Sequence, residues 1–176
     1  IFSPADCTAT VKMTQAALAY DGPVYLRLTG GMRAPIVYKE DFELIPGKAI
    51  TLREGDDIAL IATGSMVHVA LTCATQLAER GIAATVIDMH TIKPLDEAAI
   101  SAQLGKKLLV TLEEHSVIGG LGSAVAECIA NQAQRPRQMI VGIPQGYPHA
   151  GDYSWMLEQS GLTAGQVCAR IVDALQ

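Results

Sequence analysis

Four short apolar runs alternate with helix-like segments from Lys48 onward, and this alternation constrains the fold more than any other feature of the chain. The runs are "IALIAT", "IAATVID", "KLLVTL" and "QMIVGI", and they resemble strands that are covered on both faces of a parallel sheet. Apolar residues recur at helical spacing from Met66 to Leu77. Strands alternating with helices indicate βαβ units with right-handed crossovers. We predict an α/β fold: a doubly wound, mostly parallel (mixed) sheet with helices on both faces and "AITLRE" as an edge strand.

The beginning of the chain follows a different pattern. Asp6 can cap a helix from about Cys7 to Tyr20, and "GPVYLRLTGG" then reads as a turn, a strand and a glycine stop. A lone helix and strand cannot complete a sheet, and the chain starts at Ile1 inside an apolar run, so we expect it to be part of something longer. The predicted organisation is the tail of a preceding domain (1–31), a linker (32–47) and a regular α/β domain (48–176).

The composition of the chain argues against some classes of partner and indicates the cellular compartment. The net charge of -5 and the lack of a basic run argue against nucleic acid. No apolar stretch approaches the roughly 20 residues that cross a bilayer, and no signal-peptide pattern is present, so no membrane is expected. The four cysteines contain no CxxC pair and fit reduced, mostly core thiols of a cytoplasmic protein.

Ligands of open α/β sheets collect beyond the carboxyl ends of the strands, and two such ends carry modest signals. Gly64 and Ser65 follow the first buried strand and open a helix. Free amides there could hold an anion, or Ser65 could simply be the N-cap of a tight turn. Asp88 and His90 lie at the end of the next strand and could form an acid/base pair or part of a metal site. Two potential ligands do not make a metal site, however, and we predict none.

A stronger concentration of polar residues lies in "LVTLEEHSVIGGLGSAVAECIAN". Glu113 and Glu114 are adjacent in an extended strand, so their side chains should point in different directions rather than act as a pair. A carboxylate that faces the next helix start would be stabilised by the helix dipole without any catalysis. His115 follows, and the glycines that lead into the helix permit close backbone approach or positive φ. These glycines are Gly119, Gly120 and Gly122.

The last strand leads into "GIPQGYPHAGDYSWM", a loop rich in glycine and proline that could be a lid or a subunit contact. It carries Tyr147, His149 and Trp155. The chain contains no Walker loop, GxSxG elbow, HExxH motif or full dinucleotide fingerprint. The residues alone therefore predict a doubly wound domain with no complete active site, and we assign no catalytic residue to it.

Four segments in order resemble a known family: "PVYLRLTGG", "IALIATGSMVHVAL", "ATVIDMHTIKPLD" and "LLVTLEEHSVIGGLGSAVAE". They are similar to the C-terminal portion of thiamine-diphosphate enzymes of the transketolase group, which includes deoxyxylulose-phosphate synthase and the beta subunits of 2-oxoacid dehydrogenases. The resemblance implies that residues 1–31 are the tail of the family's pyrimidine-binding domain and that residues 48–176 are its complete C-terminal domain. It also implies thiamine diphosphate and Mg in the full enzyme. The family's diphosphate and magnesium motif and its cofactor-activating glutamate are both missing here, so neither group is expected on this chain alone.

The resemblance further implies a transferase that moves a two-carbon ketol unit between sugar phosphates. The chain would be the C-terminal half of the smaller subunit, would complete the substrate site, and would be inactive alone. Its partners would be an N-terminal transketolase subunit or domain and a further copy, in a homodimer or heterotetramer. Two alternatives stay open: a beta subunit of a 2-oxoacid dehydrogenase, and a non-catalytic module for anion binding or dimerisation.

Few individual residues carry over from the family. Arg27, at the end of "VYLR", matches the position at which sugar-phosphate members place an arginine that binds the phosphate group of the substrate. A second arginine common in relatives is replaced in "LTGGMRAP", where Arg33 is the candidate substitute. By the same resemblance, the motif from Glu113 to Gly122 lies near a subunit interface and takes no part in the bond chemistry.

Overall fold

The structure, a computed structural model, describes residues 1–29, 35–147 and 149–176. The predicted substrate-binding residue Arg33 lies outside these residues. The helices are α1 (Cys7–Ala19), α2 (Met66–Ala78), α3 (Glu97–Ser101), α4 (Leu121–Ile129), α5 (Tyr153–Gln159) and α6 (Ala164–Leu175). The strands are β1 (Ile50–Arg53), β2 (Ile58–Ala62), β3 (Ala84–Asp88), β4 (Leu108–Ser116) and β5 (Arg137–Ile143).

The described strands form one five-stranded sheet in the order β1-β3-β2-β4-β5. β2 pairs in parallel with β3 and β4, and β4 pairs in parallel with β5. β1 lies antiparallel to β3 at the edge. This arrangement confirms the predicted mixed, doubly wound α/β sheet. The four apolar runs of the sequence correspond to β2, β3, β4 and β5.

Side-chain alternation along the central strands separates the core into two layers. In β2, Ile58 and Leu60 belong to the layer under α2 and α6, whereas Ala59 and Ile61 belong to the layer under α3 and α4. Every residue of β2 is fully buried. Burial on both faces explains why these strands read as continuous apolar runs rather than as alternating ones.

Some local predictions differ from the structure. The "VYLR" segment is not a strand; it contributes one isolated bridge, between Leu26 and Phe2. α5, a short helix after the glycine- and proline-rich loop, was not predicted at all, since it buries no residue fully and therefore shows no apolar stripe.

Two buried aspartates hold the segment between residues 35 and 47 against the rest of the chain. The Asp6 carboxylate accepts hydrogen bonds from the amides of Ala9, Val37 and Tyr38. It therefore caps α1 and at the same time binds this segment to the start of that helix. The Tyr38 hydroxyl donates to Asp88 Oδ2 at 2.6 Å, and its ring stacks on Phe42. The domain boundaries at residues 31 and 47 stay a prediction.

The pH dependence of stability tests this burial. Burial raises the pKa of Asp88 to about 7, although the Tyr38 hydroxyl acts in the opposite direction. A raised pKa favours the protonated folded state, so the contribution of Asp88 to the free energy of unfolding should be largest below about pH 4 and fall up to about pH 7. Asp88→Asn should remove that fall, which is at most about 1.4 kcal/mol per pH unit.

The measurement is urea unfolding of wild type and variant between pH 4 and pH 7. Asp57→Asn is the matched control, because the bond to Lys107 lowers the pKa of half-buried Asp57, and its effect should be flat over that range. A constant difference between Asp88→Asn and wild type at every pH would contradict the assigned burial.

Candidate functional site

The carboxyl ends of β2 and β4 meet at the centre of the sheet. After β2 the chain places β3 on one side, and it then crosses back to place β4 on the other. Such a reversal opens a crevice at the strand ends, where ligands of open α/β sheets bind. Thr63, Gly64 and Ser65 follow β2 at this point, and the last residues of β4 include Glu113 and Glu114.

Glu113 is structural. It is 2% exposed, and its two carboxylate oxygens accept hydrogen bonds from the amides of Leu121 and Gly122, both at 2.7 Å. These are first-turn amides of α4, so the carboxylate satisfies orphan donors and lies at the positive end of the helix dipole. With both oxygens engaged, Glu113 serves as the cap of α4 rather than as an acid or base.

The glycines of this motif have specific steric reasons. A Cβ on Gly120 would lie 1.9 Å from Glu113 Oε2, and one on Gly122 would lie 2.5 Å from Ile140 Cγ2. Gly119 has φ +78°, a conformation that favours glycine. The predicted close approach and positive φ are confirmed, and the role predicted for this motif at a subunit interface stays a prediction.

Glu114 points away from Glu113, which confirms that the adjacent carboxylates do not form a pair. Its Oε2 accepts a very short hydrogen bond from the Ser65 hydroxyl and another from the Tyr153 hydroxyl at 2.5 Å. Its backbone carbonyl accepts a hydrogen bond from Arg27 Nη2 at 2.5 Å. Burial, and then the bond to Glu114, raise the pKa of Tyr153 to about 12, so its hydroxyl stays a donor at neutral pH.

Ser65 does not cap α2 with its side chain, contrary to one of the two sequence interpretations. The amides of Met66 and Val67 instead bond to the carbonyls of Thr63 and Gly64. Gly64 takes φ +59°. An anion placed here would meet the Glu114 carboxylate, which already occupies the Ser65 hydroxyl. The anion site predicted at Gly64 and Ser65 stays a prediction.

Arg27 faces a cavity of about 180 Å³ between the two strand ends. Its backbone amide donates to the carbonyl of Phe2 at 2.8 Å, which fixes its position along the chain. Among the described residues, no carboxylate oxygen forms an ion pair with Arg27 within 4.0 Å. The guanidinium is therefore not held in an ion pair with any described residue, although the carboxylates of Glu113 and Glu114 line the same cavity. The other polar lining residues are Ser3, Thr63, Glu113, Glu114 and His115.

His115 lies at the mouth of the same cavity, with its side chain 45% exposed. Its Nδ1 is 3.8 Å from Glu113 Oε2 and 2.9 Å from the carbonyl of Ser116. The ring is therefore held beside the cap of α4.

A larger groove, of about 640 Å³, lies on the other side of Ser65. Apolar side chains dominate its lining, including Val11, Leu28 and Ile36. Its one carboxylate, on Asp6, is already engaged by three backbone amides. The groove offers area but few polar groups to orient a substrate, so the smaller cavity is the better candidate.

Other predicted chemistry finds no site in the described part of the chain. Asp88 and His90 are fully buried, and burial lowers the pKa of His90 to about 4. Among residues 1–29, 35–147 and 149–176, no three His, Cys, Asp or Glu side chains are grouped to hold a metal. The helices of these ranges are all too short or too polar to cross a membrane.

Tyr153 is the contributor that sequence reasoning missed. It belongs to the segment "GIPQGYPHAGDYSWM", in which the sequence drew attention to Tyr147, His149 and Trp155 instead. The lid or contact role of that segment stays a prediction. Tyr153 contacts Glu114, 39 residues earlier. The available signal was positional, since the loop leaves the carboxyl end of β5, the neighbour of β4.

Similarity to known proteins identifies the family of the chain. Residues 47–167 match the family "Transketolase, C-terminal domain". The chain belongs to this family. A solved structure described as "Split gene transketolase, inactive beta4 tetramer" covers 99% of the chain, with a TM-score of 0.85 and 37% identity, and the match spans 56% of that chain. Transketolase from Campylobacter jejuni superposes with a TM-score of 0.70 at 20% identity, over 98% of this chain and 26% of that one, which supports the fold alone.

Curated relatives extend the comparison. A 6-deoxy-6-sulfo-D-fructose transketolase subunit of a Clostridium species is 41% identical over 95% of the chain and 52% of its own length. An apulose-4-phosphate transketolase subunit of Actinobacillus succinogenes is 38% identical over 95% of the chain and 54% of its own length. The transketolase-family chain thus spans about half the length of these relatives.

The close contact at Gly120 yields a stability prediction. Gly120→Ala should displace the Glu113 carboxylate from the first turn of α4 and lower the free energy of unfolding by about 1–3 kcal/mol, the cost of leaving buried donors unsatisfied. Gly165→Ala is the matched control. It lies in α6 with no atom within 4 Å of an added Cβ, so it should leave stability unchanged or raise it.

Chemical unfolding of the two variants and the wild type provides the measurement. Glu113→Gln should lower stability in the same direction, because an amide retains only one acceptor. If Gly120→Ala were as stable as Gly165→Ala, the capping role of Glu113 would be wrong.

Proposed function

We propose that the chain is one part of a thiamine-diphosphate-dependent transketolase that transfers a two-carbon ketol unit between sugar phosphates. In this proposal Arg27 binds the phosphate group of the sugar. One observation carries the assignment: among the described residues, the Arg27 guanidinium faces a cavity at the strand ends with no carboxylate paired to it. An unpaired guanidinium suits an oxyanion, which it can bind through two parallel hydrogen bonds.

The names of the relatives agree with an oxyanion on the substrate. One relative acts on a sugar that carries a sulfonate, and another on a sugar that carries a phosphate. Both groups present oxygens that an arginine fork can bind. The common chemistry is a sugar with a charged terminal group, and we extend that substrate class to this protein.

The carbon–carbon bond chemistry of such an enzyme comes from thiamine diphosphate. The described residues do not fit a magnesium and diphosphate site, because no three potential ligands are grouped. We therefore assign no step of the reaction to a cofactor on this chain. Its own residues bind and orient the substrate through Arg27, while Glu113 keeps the adjacent helix start in place.

Assembly with a second polypeptide or domain, such as an N-terminal transketolase subunit, is part of the proposal. Two relatives are named as subunits, and the chain matches about half of each. The tail segment also exposes large apolar side chains, with Val11 60%, Leu18 86% and Leu28 58% exposed. Exposed apolar surface of this kind is typical of a face that another chain or domain covers.

Replacing Arg27 by alanine in the whole assembled enzyme tests the phosphate role. Arg27→Ala should raise KM about 10- to 100-fold for a ketose phosphate, the scale of a lost charge-assisted hydrogen bond. KM for the matching unphosphorylated ketose should change little. The KM of Arg27→Lys for the ketose phosphate should lie between the values of the wild type and Arg27→Ala, since a lysine keeps the charge but lacks the planar fork.

Arg80→Ala is the control, because Arg80 is exposed just beyond the end of α2. Steady-state kinetics with both substrates provides the measurement. An equal loss on the phosphorylated and unphosphorylated sugars would refute the phosphate role of Arg27.

A further inference from the structure

Three segments that are distant in the sequence converge on Glu114 at the end of β4. Its carboxylate accepts from Ser65, at the start of α2, and from Tyr153, the first residue of α5. Its carbonyl accepts from Arg27, in the segment that bridges Phe2. One residue at the end of β4 therefore joins the cation of the candidate site to two hydroxyl donors.

Arg27 contacts the backbone of Glu114, yet the two side chains form no ion pair within 4.0 Å. Arg27 bonds to the backbone oxygen of Glu114, whereas the carboxylate is engaged by the two hydroxyls. Hydrogen bonds to a carboxylate are the stronger kind and restrict its rotamer. Burial raises the pKa of Tyr153, and the bond to Glu114 raises it further, so this donor persists at neutral pH.

An arginine that pairs with a carboxylate offers less to a substrate. The ion pair would offset its charge, and it would occupy the fork that a phosphate needs. Holding the carboxylate on two hydroxyls prevents both losses. Tyr153 can perform this task because it is the first residue of α5 and its hydroxyl bonds to Glu114 at the end of β4. No residue of α5 is completely buried, and this bond connects α5 to the strand end.

We propose that Ser65 and Tyr153 are positioning residues that hold the Glu114 carboxylate away from Arg27 and so keep the guanidinium available for the phosphate of the substrate. The proposal rests on the phosphate role of Arg27 proposed above. It predicts a specific failure: when a hydroxyl is removed, the released carboxylate turns to Arg27 and competes with the substrate.

The test uses the whole assembled enzyme with its cofactor, and it measures KM and kcat for a ketose phosphate and for the unphosphorylated ketose. Tyr153→Phe should raise KM for the phosphorylated sugar about tenfold, the scale of one charge-assisted hydrogen bond. KM for the unphosphorylated sugar should stay within about twofold. Tyr147→Phe is the matched control, since Tyr147 is fully exposed in the preceding loop and should change neither value.

A double variant separates positioning from simple support of the fold. Adding Glu114→Gln to Tyr153→Phe removes the competing charge, so KM for the phosphorylated sugar should return toward the wild-type value. If the hydrogen bond only held the fold together, the double variant would be no better than Tyr153→Phe. The Ser65 hydroxyl donates to the same carboxylate from the start of α2. Ser65→Ala should therefore show the same increase in KM and the same rescue by Glu114→Gln, which keeps the test decisive if one variant fails to fold.

The outcomes distinguish the two proposals. If Arg27→Ala affects both sugars equally, the proposed function fails, and this inference fails with it. If Arg27→Ala discriminates but Tyr153→Phe and Ser65→Ala behave like wild type, only the positioning role is overturned. An increase in KM that Glu114→Gln does not reverse would also overturn it.

Discussion

Successive side chains of an extended strand point to opposite sides, and at the end of β4 this places two neighbouring carboxylates in different surroundings. Glu113 turns to the start of α4, where two amides bind it. Glu114 turns to Ser65 and Tyr153, beside Arg27. The position of α4 depends on this alternation, and so does the absence of an ion pair between Arg27 and Glu114. A shift of one residue in the register of β4 would exchange the two carboxylates and disrupt both arrangements.

The layers of the sheet explain why this strand end is held firmly. β4 lies between β2 and β5, with pairing on both edges, and its apolar residues belong to both core layers. Such a strand cannot slip without exposing its buried side chains. Site residues that extend from it inherit the rigidity of the core, which is what precise placement of a binding group requires.

Local signals predicted the fold well, whereas the site depended on long-range contacts. The apolar runs identified β2 to β5, and Asp6 marked the start of α1 because capping involves neighbouring residues only. The directions of Glu113 and Glu114 followed from strand geometry. Tyr153 could not be found in the same way, since its partner is 39 residues away. The hydroxyl of Ser65 likewise bonds across the sheet end to Glu114 instead of capping its own helix.

The central claim is that Arg27 is kept unpaired to bind the charged group of a sugar. A crystal structure of the whole assembled enzyme with a bound ketose phosphate tests it most directly. The account predicts the phosphate within hydrogen-bonding distance of the Arg27 guanidinium, with the Glu114 carboxylate still on Ser65 and Tyr153. A phosphate bound elsewhere, with Arg27 paired to the Glu114 carboxylate, would contradict it.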